Sequence, residues 1–419
     1  MNRNSMPAEV KERASPGFIA IYTIAYAALW LALLTPAIIS LALRVRQLAP
    51  ADPAGPTSWV LVAGALVALI SNPVFGALSD HSTSRFGRRR PFLVVGVVCG
   101  CASLVLIGLA PSIGVVLLGW CLAQLAYNAA LCAMVAVVPD QIPARQRGTV
   151  VGILGICMPI GQIGGTYLVK ELSFNMMWVL VVPGLIGVVG VLLLAAVLPD
   201  KSRPSLPMIP ATAPRAEPPR APVAAAPRDH RDFMWALLSR VLFTTGSSFL
   251  QAYQPFFLLE KLKIEPADVP RLIFHSTLVS AAMVVVCSLL AGRLSDRTGT
   301  RKPFVMAGSI VQGLGLWLVA ASDSYEALLL GVALTGVGHG IYEGVDLALV
   351  TDVLPDRAQH AAKDLGFLNI ANTLPQVIAP LSAPALFALS RGDYALLFAV
   401  AGAVAVLGSV VLVPLKSVR

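Results

Sequence analysis

Within the apolar stretch GVGHGIYEGVDLALV at 336–350, three ionisable residues recur at helical spacing: His339, Glu343 and Asp346, at i, i+4 and i+7. On an α-helix they share one face. Glu343 then lies about 6 Å and Asp346 about 10 Å from His339 along the axis, with Asp346 nearer the polar interface. Ionisable groups inside an apolar helix are expensive and mark functional sites. The chemistry this face offers is binding and release of a proton, with Glu343 the first choice of carrier. Two other roles stay open for Glu343: a direct hydrogen bond to solute hydroxyls, and a structural ion pair, for instance with His339. Gly336, Gly340 and Gly344 form an adjacent stripe of small residues, a surface for close packing of another helix.

Other polar groups sit in similarly apolar surroundings. Gln124, Tyr127 and Asn128, at i, i+3 and i+4, give donors and acceptors suited to a polyol. Asn369, Asn372 and Gln376, in NIANTLPQVIAP, serve either solute binding or adhesion between helices. Pro375 and Pro380 in the same stretch predict a kink. Tyr22, Tyr26 and Trp30 share a face that either stacks on a sugar ring or packs, and Gln162 and Gln251 are candidate wall residues. Arg240 either snorkels to the nearer polar surface or holds an anion, while His275, near a span end, reads as structural. The six cysteines lie in apolar runs without metal-type spacing and read as core residues. The sequence has no HExxH and no Gly-Lys pair, hence no P-loop. No enzyme activity, metal or cofactor is expected.

The elements that must position these residues follow from composition. The chain has 419 residues, 57% hydrophobic and 13% charged, where soluble domains are roughly half apolar and a quarter charged. Runs of about 20 apolar residues recur, long enough to cross a bilayer as helix. Twelve spans are expected, over 18–43, 58–79, 92–110, 113–138, 148–169, 177–198, 233–258, 271–292, 303–321, 326–350, 365–389 and 394–414. Residues 1–17 are polar, and the run after them is too long for a signal-peptide core. Of 31 Lys and Arg, 23 fall on the side holding both termini, 7 on the other, and Arg240 within a span. The positive-inside rule then predicts a multi-pass protein with both termini cytoplasmic. The net charge of +9 follows topology and is no sign of nucleic-acid binding.

The chain also repeats itself. GALSD at 76–80 returns as GRLSD at 292–296, and Pro139-Asp140 returns as Pro355-Asp356, both at an offset of 216. RPF at 90–92 returns as KPF at 302–304, so the first loop carries four extra residues, about HSTS at 81–84. Residues 199–232 hold nine Pro and no apolar periodicity, as in a linker. The expected organisation is a tail at 1–17, a bundle at 18–198, the linker at 199–232, a bundle at 233–414 and a tail at 415–419. With six spans per half, the repeat is parallel.

GRLSDRTGTRKP at 292–303 closely resembles the loop motif of the major facilitator superfamily, G-x-L-S-D-R-x-G-x-R. The expanded first copy, SDHSTSRFGRRRPF at 79–92, resembles that of its glycoside–pentoside–hexuronide and sucrose transporter branch. The resemblance implies an all-α polytopic protein of two six-helix bundles that rock about a central site. It further implies that Asp80 and the neighbouring Arg85, Arg88 and Arg89 hold the cytoplasmic ends of the bundles together in one state. Asp140, Asp296, Arg297 and Arg301 are the remaining gating candidates. Sucrose-type relatives carry an essential carboxylate near the end of the fourth span, where Asp140 is closest; if Asp140 lies outside the membrane, coupling moves to the tenth span. The implied activity is proton-coupled symport of a small polar solute such as a sugar, by a monomer in a lipid bilayer, the plasma membrane of a bacterium. Proton-antiport export and a non-transporting sensor are the alternatives.

Overall fold

The computed structural model describes residues 14–82, 84–199, 230–353 and 361–415, without the side chains of 144, 145, 230, 347, 351–353 and 361–369. Most of the Pro-rich stretch and the Asn369 side chain therefore lie outside the described residues.

Among the described residues, twelve helices are long and apolar enough to cross a membrane. They are α1 (Pro16–Leu48), α2 (Ala54–His81), α3 (Arg90–Leu109), α4 (Ile113–Gln141), α5 (Gln146–Leu172), α6 (Met176–Val197), α7 (Arg231–Lys261), α8 (Val269–Thr298), α9 (Lys302–Ala320), α10 (Tyr325–Val350), α11 (Ile370–Ser390) and α12 (Tyr394–Val411). A chain in hydrocarbon must satisfy its own backbone N–H and C=O groups, which helices do. The helices overrun several expected spans: α1 continues past residue 43 and α8 past residue 292. Local signals fix the ends. Pro91 and Pro303 occupy first-turn positions of α3 and α9. Asn175 and Asp393 accept hydrogen bonds from the amides of Met177 and Ala395. Gly299, at φ 65°, closes α8 in the left-handed region. Helices α1 and α7 each relax into a π-helical stretch, Pro36–Ser40 and Phe257–Lys261.

The packing repeats with the sequence. In the first half α1 packs on α5 and α6, α2 on α4, and α3 on α4 and α6; the second half repeats this as α7 on α11 and α12, α8 on α10, and α9 on α10 and α12. The two seams between the halves, α2 on α11 and α5 on α8, are counterparts under the same repeat. Each half also fastens the chain beyond its last helix. Arg90 donates to the Leu198 carbonyl at 2.5 Å, and its counterpart Lys302 donates to the Val413 and Leu415 carbonyls at 2.9 and 2.8 Å.

The basic connections at 84–89 and 299–301 lie at one end of the bundle, the basic end. At the opposite end the halves share one apolar cluster. Leu34, Ile38, Ile39 and Ala42 of α1 pack there with Phe249, Tyr253, Phe256 and Phe257 of α7 and Phe398 of α12. Ser58 and Tyr253 add a buried 2.5 Å hydrogen bond across the halves. Toward the basic end the clusters separate. One runs from Tyr22 to Leu198, wholly in the first half, and another from Phe233 to Leu415, wholly in the second. The molecule is therefore closed at the end away from the basic loops.

Candidate functional site

A cavity of about 50 Å³ lies between the halves on the inner side of this closure. Its wall is drawn from five helices. Gln124 and Trp120 come from α4, Leu61 and Ala65 from α2, Ala37 from α1, Ser248, Gln251 and Ala252 from α7, and Gln376 and Pro380 from α11. Three amides and one hydroxyl thus face one space beside an indole, with no ionised side chain in the lining. Asn128, buried one turn from Gln124, donates to the Gln124 carbonyl and to its Oε1 at 2.8 and 2.9 Å. That bond fixes the Gln124 amide.

The charged face of α10 lies nearer the basic end, and glycines hold it there. A Cβ on Gly336, Gly340 or Gly344 would come within 2.9, 2.6 and 2.5 Å of the Ser280, Val284 and Ser288 carbonyls of α8. The predicted stripe is thus the α8 contact. Gly338 presses in the same way on α9, where a Cβ would meet the Gly308 carbonyl at 2.6 Å. With two sides taken by backbone contacts, the third carries His339 and Asp346 toward α7.

Asp346 is ion-paired with Arg240 of α7; their side chains are 1% and 12% exposed. Arg240 Nε also donates to Asn372 Oδ1 of α11 at 2.7 Å. This corrects the snorkelling expectation: a guanidinium inside an apolar bundle is better served by a carboxylate and an amide than by a stretched path to water. Glu343, one turn from Asp346, is exposed. His339 Nδ1 lies 3.3 Å from Ser247 Oγ, which donates to Gln312 Oε1 at 3.2 Å. Its ring packs on Phe243, which stacks on Tyr342 at 3.7 Å.

The first-half loop forms a third site. Arg88 Nη2 reaches both Asp140 oxygens at 2.9 Å, and Arg89 reaches Asp140 Oδ2 at 2.8 Å, Asp80 Oδ1 at 2.7 Å and Ser79 Oγ at 2.7 Å. Burial, the largest influence on Arg89, works against its charge. Hydrogen bonds and charge from Asp140 and Asp80 outweigh it and raise the Arg89 pKa above its ordinary value. In the second half Arg301 lies 3.4 Å from Asp296, Ser295 donates to the Thr300 carbonyl, and Arg297 is exposed in the last turn of α8. Arg85 is exposed, 4.9 Å above the Phe86 ring. These described ion pairs each lie within one half. Asp140 is held by two arginines and belongs to this loop site.

Several predicted residues stand apart from the cavity. Tyr22 is buried in the first-half core and donates to the Met134 carbonyl at 2.7 Å. Tyr127 is buried against Gly100 and Gly184, between α3 and α6. Tyr26 is half-buried between Tyr22 and Trp30 in an aromatic row, and Gln162 is half-buried on α5. Sequence reasoning missed Ser248 and Trp120 in the cavity wall and Asp346 as the partner of Arg240. Only the last had a signal, since a lone arginine in an apolar span needs an internal anion.

A family model described as the Major Facilitator Superfamily matches residues 18–285 and again 236–418. The general alpha-glucoside permease of Schizosaccharomyces pombe is 40% identical over 79 residues, 19% of this chain and 13% of that protein. The sucrose transport protein SUT3 of Oryza sativa subsp. indica is 39% identical over 87 residues, 21% of this chain and 15% of that protein. The multidrug resistance protein MdtL of Shewanella oneidensis is 33% identical over 103 residues, 25% of each. The matches thus span a quarter or less of these relatives. Among solved structures, the peptide transporter POT in complex with sulfate has TM-score 0.73 at 13% identity, covering 97% of this chain and 96% of that one. The nucleoside transporter NupG has TM-score 0.70 at 14% identity, covering 95% and 98%. At such identity these two structures share the fold alone.

Proposed function

The chain belongs to the Major Facilitator Superfamily, and from that premise we propose that it carries a small uncharged polar solute, a sugar or glycoside, across a membrane in symport with protons. It is a transporter, not an enzyme. The observation that carries the solute class is the cavity wall: Gln124, Ser248, Gln251 and Gln376 beside Trp120. Amides and hydroxyls both donate and accept, as a ring of solute hydroxyls does, and no fixed charge selects an ion. Similarity to an alpha-glucoside permease and a sucrose transport protein supports the same class.

Glu343 is the proton carrier in this reading, exposed on the face it shares with Asp346 and His339. The excess of Lys and Arg at the basic end supports a cytoplasmic basic end in a bacterial plasma membrane, both termini inside. The cavity then opens inward here. Bundles 18–198 and 233–414, joined by the linker 199–232, rock as one monomer. When the basic end closes, Asp80, Arg88, Arg89 and Asp140, with Asp296 and Arg301, exchange partners within a half for partners across it.

The test is uptake by reconstituted protein, with and without an inward proton gradient, across labelled sugars. Gradient-driven accumulation of a sugar is expected, and the Glu343→Gln variant is expected to lose accumulation while keeping counterflow exchange. If no sugar moves and a drug leaves against its gradient, the symport reading is wrong and export by antiport, in line with the match to MdtL, replaces it.

A further inference from the structure

We infer that Arg240, Asp346 and Glu343 form a three-charge unit that takes up one proton, and only one, in each transport cycle. The inference rests on the symport reading above and deepens it.

Arg240 reaches from α7 to Asp346 on α10 and to Asn372 on α11. A guanidinium does not surrender its proton in a protein, so this cluster holds one permanent positive charge. Against it stand two carboxylates, Asp346 in contact and Glu343 one turn away. Among the described residues, the other groups around Asp346 and Arg240 are neutral hydrogen bonders: the Tyr342 and Ser239 hydroxyls and the Asn372 amide. His339, one turn beyond Glu343, lies between the Phe243 ring and the Ser247 hydroxyl and adds no charge while neutral.

The count is simple. With both carboxylates ionised the unit carries one net negative charge. One proton makes it neutral, and a second makes it positive. Between its two open states the transporter must close over this cluster and exclude water, and a dry site disfavours net charge. The one-proton form is the form that crosses. Glu343, the exposed member of the unit, is where that proton enters and leaves.

The same arginine ties the count to the solute. Asn372 is one turn from Gln376 on α11, and Arg240 is eight and eleven residues before Ser248 and Gln251 on α7. The helix that carries Arg240 and the helix whose Asn372 binds it therefore both supply the cavity wall.

The experiment measures the ceiling of accumulation in vesicles holding the full chain, with a pH gradient, the membrane potential clamped to zero, and labelled sucrose, maltose and xylose as probes. One proton per solute allows about tenfold accumulation per pH unit, and two allow about a hundredfold. A tenfold ceiling is expected. Asp346→Asn and Glu343→Gln each make the unit neutral without a proton, so each is expected to exchange solute but not accumulate it. Arg240→Gln leaves two negative charges, and accumulation is expected to stall or to reach the hundredfold ceiling. The double variant Arg240→Gln/Asp346→Asn restores one negative charge and should regain tenfold accumulation. A hundredfold wild-type ceiling, or accumulation by either carboxylate variant, overturns the three-charge unit while symport stands. Absence of gradient-driven accumulation of every probe by the wild type overturns the symport reading itself. Should Arg240→Gln fail to fold, the wild-type ceiling and the carboxylate variants still decide.

Discussion

Replacing Tyr253 with Phe removes one hydroxyl from the seam that closes the molecule and leaves the apolar contacts in place. Ser58 Oγ donates to the Ala54 carbonyl at 2.8 Å, so the phenol is the donor in the 2.5 Å bond between Tyr253 and Ser58. Both residues are buried, at 0% and 1% exposure. The Tyr253 ring, 5.6 Å from Phe387 and 6.4 Å from Phe256, keeps its neighbours in the variant. A buried neutral hydrogen bond contributes about 1 kcal/mol net, which is a factor of about five in a two-state population. The bond joins helices of opposite halves and exists only while this end is closed. Its loss should therefore shift the balance about fivefold toward the state open at that end. Pulsed electron-spin distance measurements between labels on the 49–53 and 262–268 connections would read the two populations. Ser58→Ala should shift them as much as Tyr253→Phe, and the double variant little further, because both remove one bond. Unchanged populations in Tyr253→Phe, or full additivity in the double variant, would refute the reasoning.

Three further outcomes are expected from the packing. A Cβ on Gly344 would meet the Ser288 carbonyl at 2.5 Å, so Gly344→Val should lower stability by about 1–3 kcal/mol; a thermal melt in detergent reads this, with Gly152→Ala, at a position open around the Cβ, as a control that does not lower the midpoint. Arg89→Gln removes the buried partner of Asp80 and one of the two arginines on Asp140, which keeps Arg88, and should cost about 1–3 kcal/mol; Arg89→Gln/Asp140→Asn should recover part of the melting temperature. Gln376→Ala removes one amide from the cavity wall and should raise the KM for the transported sugar by about tenfold, the effect of 1–2 kcal/mol; an unchanged KM from initial uptake rates would remove Gln376 from the binding site.

The fold was legible because hydrocarbon leaves the backbone few choices. Runs such as Phe92 to Ala110 and Met176 to Leu198 had to become helices, and the copies GALSD and GRLSD gave the register of the repeat. Which way each side chain points was harder to read. The helices of the first half are apolar nearly all round, so periodicity could not tell the cavity face of α4 from its core face. Gln124 faces the cavity, while Tyr127, three residues on, turns into the core against Gly100. Tyr22 misled for the same reason, its hydroxyl being taken by the Met134 carbonyl. On α10 the direction of Asp346 was legible, because a carboxylate in an apolar helix turns to a partner in the interior. Its partner lay more than a hundred residues away, on a helix that only the fold brings near.

The fastening by Arg90 and Lys302 has a consequence for how the molecule can be made. Each residue secures the end of its own half to its own third helix, at Leu198 and at Val413 and Leu415. The end of α6 is thus held before the chain enters the Pro-rich stretch, with no contribution from the second half. Two polypeptides, divided within residues 200–229 and translated from separate messages, should each insert with their last helix secured and then find one another in the bilayer. The peptide between them would then act as a device of biosynthesis, delivering the halves in equal number and at high local concentration.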